Sequence, residues 1–99
     1  MKDEIKLMRL GVVMDPIQSI HYEKDSTLAM LLAAQARGWE LFYFEQADLF
    51  LRDGVAYGNA QILTVKADAK NWYQLRDHQT IPLSELNIIL MRKFIGIFS

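Results

Sequence analysis

Residues 25–44 read DSTLAMLLAAQARGWELFYF, and this stretch decides the fold. Its first part is rich in Ala and Leu, both strong helix formers. Asp25 or Ser26 can accept from the orphan amides of a helix N-terminus. Arg37 falls in the last turn, and Gly38 supplies the left-handed residue that ends a helix. Leu28, Leu31, Leu32 and Ala36 mark one apolar face, with Gln35 and Arg37 directed away from it. Directly after Gly38, Trp39 to Phe44 is short and aromatic, which predicts a strand.

Working outward, residues 7–14 (LMRLGVVM) form a second short apolar run, closed by Asp15-Pro16. Proline has no amide hydrogen for a sheet ladder and restricts the residue before it, so the run predicts a buried strand and then a loop. Strand, capped helix and strand within about 40 residues predict a βαβ unit with parallel strands and a right-handed crossover. Downstream, LFLR-DG-VAY (49–57) is a hairpin signal, because Asp53-Gly54 suits a type I′ turn. QILTVK (61–66) and NWYQLRD (71–77) predict further strands, so residues 49–78 read as an antiparallel meander inserted after the second parallel strand. Pro82 to Leu86 predicts a single turn. Ile88-Ile89-Leu90-Met91 predicts a fully buried strand with Arg92 and Lys93 at its end. The fold class is α/β.

The bulk numbers fit one small domain. The chain has 99 residues, 52% of them hydrophobic and 23% charged, which predicts a folded chain with a thin core. Net charge is −1, against the basic excess that nucleic acid or an anionic membrane surface would need. Cysteine is absent, so there is no disulfide framework, thiolate metal site or cysteine nucleophile, which accords with a reducing cytoplasm. No apolar run approaches the roughly 20 residues of a membrane helix, and the first residues do not form a signal peptide.

Chemistry-bearing residues gather at two predicted strand ends. In open α/β sheets, ligands bind outside the carboxyl ends of parallel strands. Asp15 follows one such strand, and Arg92-Lys93 follows another. An arginine there could clamp a carboxylate or phosphate through two parallel bonds. The bland alternative is that charges end buried strands because solvent begins there. The helix start at Ser26-Thr27 could hold an anion, but Asp25 would repel phosphate, and a plain cap is the simpler reading. His21 and His78 lack metal-ligand spacing. Trp39, Phe42, Phe44 and Trp72 read as core. The glycines at 11, 38, 54, 58 and 96 form no phosphate loop, and no acidic cluster suits Mg²⁺. The chain alone presents no complete active site.

Three blocks occur in order: LGVVMDPI (10–17), KDSTLAMLLAAQARGWELFYFEQADLFLRDG (24–54) and LNIILMRK (86–93). Together they resemble the N-terminal domain of prokaryotic glutathione synthetase, from about Lys6 to Lys93. The resemblance implies a Rossmann-like, three-layer domain of the pre-ATP-grasp type, with a mostly parallel sheet and the inserted meander. It implies an enzyme that joins γ-glutamylcysteine to glycine with ATP and Mg²⁺ through an acyl-phosphate. It places Met14, Asp15, Pro16, Met91, Arg92 and Lys93 along the cleft that faces the dipeptide. The family's nucleotide and metal ligands lie in later domains and have no counterpart positions here, so this chain carries no cofactor site of its own. In the family the last strand runs into a DPPFD loop, whereas here FIGIFS (94–99) follows Lys93. The expectation is therefore a domain at 1–93 with a divergent tail at 94–99, inactive by itself. Its expected ligand is γ-glutamylcysteine or glutathione, and a homo-oligomer is expected because the surface that further domains would cover is exposed, with Phe94, Ile95, Ile97 and Phe98 extending or filling it. The alternative is a stand-alone, non-catalytic binding or oligomerisation module. A different enzyme on the same fold ranks below both.

Overall fold

A computed structural model describes residues 8–14, 16–19 and 26–92. Six strands form one sheet: β1 (Arg9–Met14), β2 (Glu40–Phe44), β3 (Leu49–Arg52), β4 (Val55–Val65), β5 (Tyr73–Pro82) and β6 (Ile88–Arg92). One α-helix, α1 (Ser26–Ala36), lies between β1 and β2. Short 3₁₀ turns stand at Ile17–Ser19, Gln46–Asp48 and Leu83–Glu85.

The βαβ unit forms as its residues predict. β1 pairs in parallel with β2 on one side and with β6 on the other. Helix α1 ends where Gly38 takes φ +84°. The Trp39 amide donates to the Ala34 carbonyl and the Gly38 amide to the Gln35 carbonyl, the paired bonds of a Schellman cap.

The sheet is mixed, not mostly parallel. β4 runs antiparallel to both β2 and β3 along one edge, and β5 runs antiparallel along its other edge. The inserted meander supplies the longest strands, of 11 and 10 residues, and bonds straight onto β2. It therefore extends the βαβ sheet instead of standing apart from it. β4 is also one strand and not two short ones. Its Gly58 sits beneath the fully buried Phe44 ring, where a Cβ would collide with the ring carbons. Gly11 on β1 meets the same ring from its other side, where an added Cβ would lie 3.0 Å from Phe44 Cε1. The hairpin turn is as read, with Asp53 at φ 53° and Gly54 at φ 78°, the two positive values of a type I′ turn. β5 starts and ends later than expected, and it carries a bulge. Gln61 faces His78 while Ile62 faces Arg76, which leaves Asp77 as the extra residue at φ 51°.

Alternation divides the apolar side chains between two faces. Leu10, Val12, Met14, Leu41, Tyr43, Leu63 and Val65 pack beneath α1 with Leu28, Leu31 and Ala34. Val13, Phe42, Phe44, Ala60 and Ile81 form a second cluster on the opposite face, flanked by Leu49, Ile62, Leu83 and Leu86. Among the described residues only one face carries an α-helix, so a three-layer arrangement is not what they display. The apolar face of α1 also differs in detail from its reading. Ala34 is buried and Ala36 is exposed. Gln35 faces the sheet: its Nε2 donates to the Val65 carbonyl, and its Oε1 accepts from the Val65 amide at 2.8 Å. β2 pairs with β4 only as far as Leu63, so the Gln35 amide continues the ladder where β2 no longer reaches.

β6 corrects a further expectation. It is an edge strand, paired only with β1 among the described residues. Its Ile88, Ile89 and Met91 are 39%, 41% and 57% exposed, where full burial was expected. Parallel strands are buried when both faces and both neighbours are covered, and β6 has one neighbour.

Candidate functional site

The strand order β6–β1–β2 brings three parallel carboxyl ends to one edge of the sheet. Register sets the details. Met14 pairs with Arg92, and Val13 pairs with Phe44. The ends of the first and last strands therefore lie side by side, as the sequence reading required, although Met14 and Arg92 are 78 positions apart.

The six candidate residues fare differently. Met14 is 3% exposed and belongs to the core beneath α1, so it anchors this edge from below. Pro16 is exposed at the start of the following segment. Arg92 is half-buried and points to the helix side, where its Nε donates to Thr27 Oγ1 at 2.8 Å. Met91 alternates to the opposite face, away from Arg92, and is mostly exposed. Asp15 and Lys93 lie outside the described residues, as do His21, Asp25 and the tail at 94–99.

Thr27 is the buried polar residue of this edge, 4% exposed in the first turn of α1. Its bond to Arg92 joins the start of the helix to the end of β6. The bond through Nε orients the guanidinium toward the start of the helix.

A second network stands over β2. The Ile17 amide donates to Tyr43 Oη at 3.0 Å, and Tyr43 Oη donates to Glu45 Oε2 at 2.6 Å. The Glu45 amide in turn donates to Asp48 Oδ2 at 2.8 Å. Tyr43 is 2% exposed and Ile17 is fully buried. Burial first, and then the bond to Glu45, push the Tyr43 phenol well above the usual tyrosine range. The phenol is therefore a neutral donor at any physiological pH. Sequence reasoning read this stretch as a strand with Trp39, Phe42 and Phe44 in the core, and it did not single out the Tyr43 hydroxyl. The signal was present in the Tyr43-x-Glu45 spacing, since residues two apart on a strand share a face.

At the opposite, amino end of the strands, Arg9 binds Glu40 at 3.1 Å and Glu85 at 3.5 Å, and its amide donates to Asn87 Oδ1. These contacts are solvent-exposed and tie strand starts together, so they are scaffolding of modest worth. His78 is exposed beside the β5 bulge. Among the described residues, no three His, Asp or Glu side chains are grouped as a metal ion would need. None of the helices described is long and apolar enough to cross a membrane.

Residues 8–93 match the family described as prokaryotic glutathione synthetase, N-terminal domain. Glutathione synthetase of Pseudomonas putida is 59% identical over 86 residues, which cover 87% of this chain and 27% of that protein. The Pseudomonas aeruginosa enzyme is 58% identical with the same coverage. That of Shewanella oneidensis is 54% identical over 87 residues, 88% of this chain and 28% of its own. The chain spans a little over a quarter of the length of these curated relatives. With the family matched across 86 of its 99 residues, the chain belongs to the prokaryotic glutathione synthetases and carries their N-terminal domain.

Proposed function

We propose that this chain is the dipeptide-facing domain of a cytoplasmic glutathione synthetase, an enzyme that ligates γ-glutamylcysteine to glycine at the expense of ATP. The observation that carries the reading is the register of Met14 with Arg92. It sets a fixed guanidinium beside the exit of β1, at the edge where α/β sheets bind ligands. Arg92 and Pro16 supply the accessible surface, and Met14 supports it from the core. Met91, Asp15 and Lys93 belong to the site by the family resemblance. A carboxylate of γ-glutamylcysteine is the group that Arg92 would hold. ATP and Mg²⁺ supply acyl activation in the complete enzyme, from residues other than these. The 99 residues taken alone bind without ligating.

The test is a titration of the ¹⁵N-labelled chain with γ-glutamylcysteine and with glutathione. Amide shifts are expected at Met14, Ile17, Met91 and Arg92. Arg92→Ala should weaken binding about tenfold or more, the worth of a hydrogen bond to a charged group. The same sample given ATP, Mg²⁺ and glycine should release no phosphate. Absence of shifts at low millimolar dipeptide would overturn the binding reading, and phosphate release above a blank would overturn the inactivity.

A second reading has an observation of its own. Ile88, Ile89 and Met91 line an edge strand, and exposed apolar side chains of this kind drive association. The chain would then act as a non-catalytic module that assembles with copies of itself.

A further inference from the structure

Tyr43 carries a hydroxyl that packing does not require. Phenylalanine would fill the same space, and burying a phenol is unfavourable unless its oxygen is bonded. Here the oxygen is bonded in both senses. It accepts from the Ile17 amide and donates to Glu45. The Ile17 amide opens a 3₁₀ turn and has no partner within that turn, because the first amides of any helical turn point outward. The Ile17 side chain is meanwhile sunk in the core with Met14 and Val12. Two anchors, one apolar and one polar, thus hold the segment that follows β1. Glu45 is itself placed by the 3₁₀ turn Gln46–Asp48, through its amide bond to Asp48. Position passes from the β2 terminus, through Tyr43, to the backbone beside Pro16.

We propose that Tyr43 is a positioning residue of the dipeptide site, fixing through the Ile17 amide where Pro16 stands relative to Arg92. The inference rests on the binding reading above and adds to it a residue that touches no ligand. The site is set before ligand arrives, so binding need not order the segment. Glu45 serves as acceptor and aims the hydroxyl, which leaves its lone pairs turned to Ile17. Any side chain with a well-placed oxygen at position 45 would do the same.

The experiment uses the 99-residue chain and two readouts: hydrogen exchange at the Ile17 amide and γ-glutamylcysteine affinity by NMR titration. Tyr43→Phe should speed Ile17 exchange and weaken the dipeptide, each by about tenfold, with β4 and β5 still protected. Glu45→Gln keeps an oxygen acceptor and should stay within about threefold of the parent in both. Ile81→Val, a mild core change on the opposite face, should leave affinity unaltered although it lowers stability. Unchanged Ile17 exchange in Tyr43→Phe overturns the proposal. So does dipeptide affinity equal in Tyr43→Phe and the parent, and this outcome leaves the binding reading standing. Absence of dipeptide binding by the parent overturns the binding reading and the proposal with it.

Discussion

At the scale of single residues, Tyr43 makes the sharpest prediction because its acidity depends on folding. Burial and Glu45 raise the phenol above its ordinary value, so the folded chain holds a proton that the unfolded chain has released. Stability contributed by the neutral phenol is fully present below about pH 10 and is lost as pH climbs toward the folded value. Above pH 10 the parent should therefore lose stability faster than Tyr43→Phe, by up to about 1.4 kcal/mol per pH unit, the slope of one proton. Urea unfolding of both chains between neutral and alkaline pH measures this difference, and parallel curves would refute it. The residue scale was also where the sequence was least legible. Arg92 was found because charge at the end of an apolar run is visible in a string of letters. Thr27 was seen only as part of a helix cap, and its bond to Arg92 joins residues 65 positions apart. No local pattern encodes such a pairing. Tyr43 was concealed by its neighbours: among Trp39, Phe42 and Phe44 its ring reads as one more core aromatic.

At the scale of elements, local signals served well wherever one residue type answers one backbone need. The Schellman cap at Gly38 and the turn at Asp53-Gly54 followed from positive φ angles that few residues accept. Signals failed where a residue answers a distant neighbour. VAY (55–57) and QILTVK (61–66) read as separate strands, yet Gly58 between them keeps β4 continuous by admitting the Phe44 ring. Gln35 looked like the polar side of α1, yet its amide stands in for a missing length of β2. That substitution is testable. Val65 is 1% exposed, so losing Gln35 strands a buried amide and a buried carbonyl together. Gln35→Ala should destabilise the chain by about 1–3 kcal/mol, well beyond the loss expected from helix propensity, since Ala favours helix. Denaturant unfolding measures it, and amide exchange at Val65 should rise before that of its neighbours. A variant as stable as the parent would show that water satisfies Val65 instead.

At the scale of the whole molecule, the βαβ unit and its parallel pairing were legible, because a capped helix between two short apolar runs admits few other arrangements. The mixed character of the sheet was not. Whether a meander stands apart or bonds onto β2 depends on which edges meet, and edge matching leaves no trace in periodicity. Among the described residues, the β5 and β6 edges of the sheet differ in kind. The β5 edge is polar along Gln74 to Thr80 and kinked by the bulge at Asp77, the features that discourage pairing with another chain. The β6 edge keeps an unshifted register with β1 and bears the exposed Ile88, Ile89 and Met91. In relatives more than three times this length, further chain is available to cover such a surface; in the 99 residues by themselves, a second copy is the available cover. Light scattering should therefore find the isolated chain associated at high concentration. Ile89→Lys with Met91→Lys should shift it to monomer, because both side chains stand on the exposed face and lysine on an edge opposes pairing. Leu51→Lys, an equally exposed apolar position on the distant β3–β4 hairpin, should leave association unchanged. A monomeric parent would remove the second reading of function altogether, and association that survives both β6 lysines would move the contact to another face.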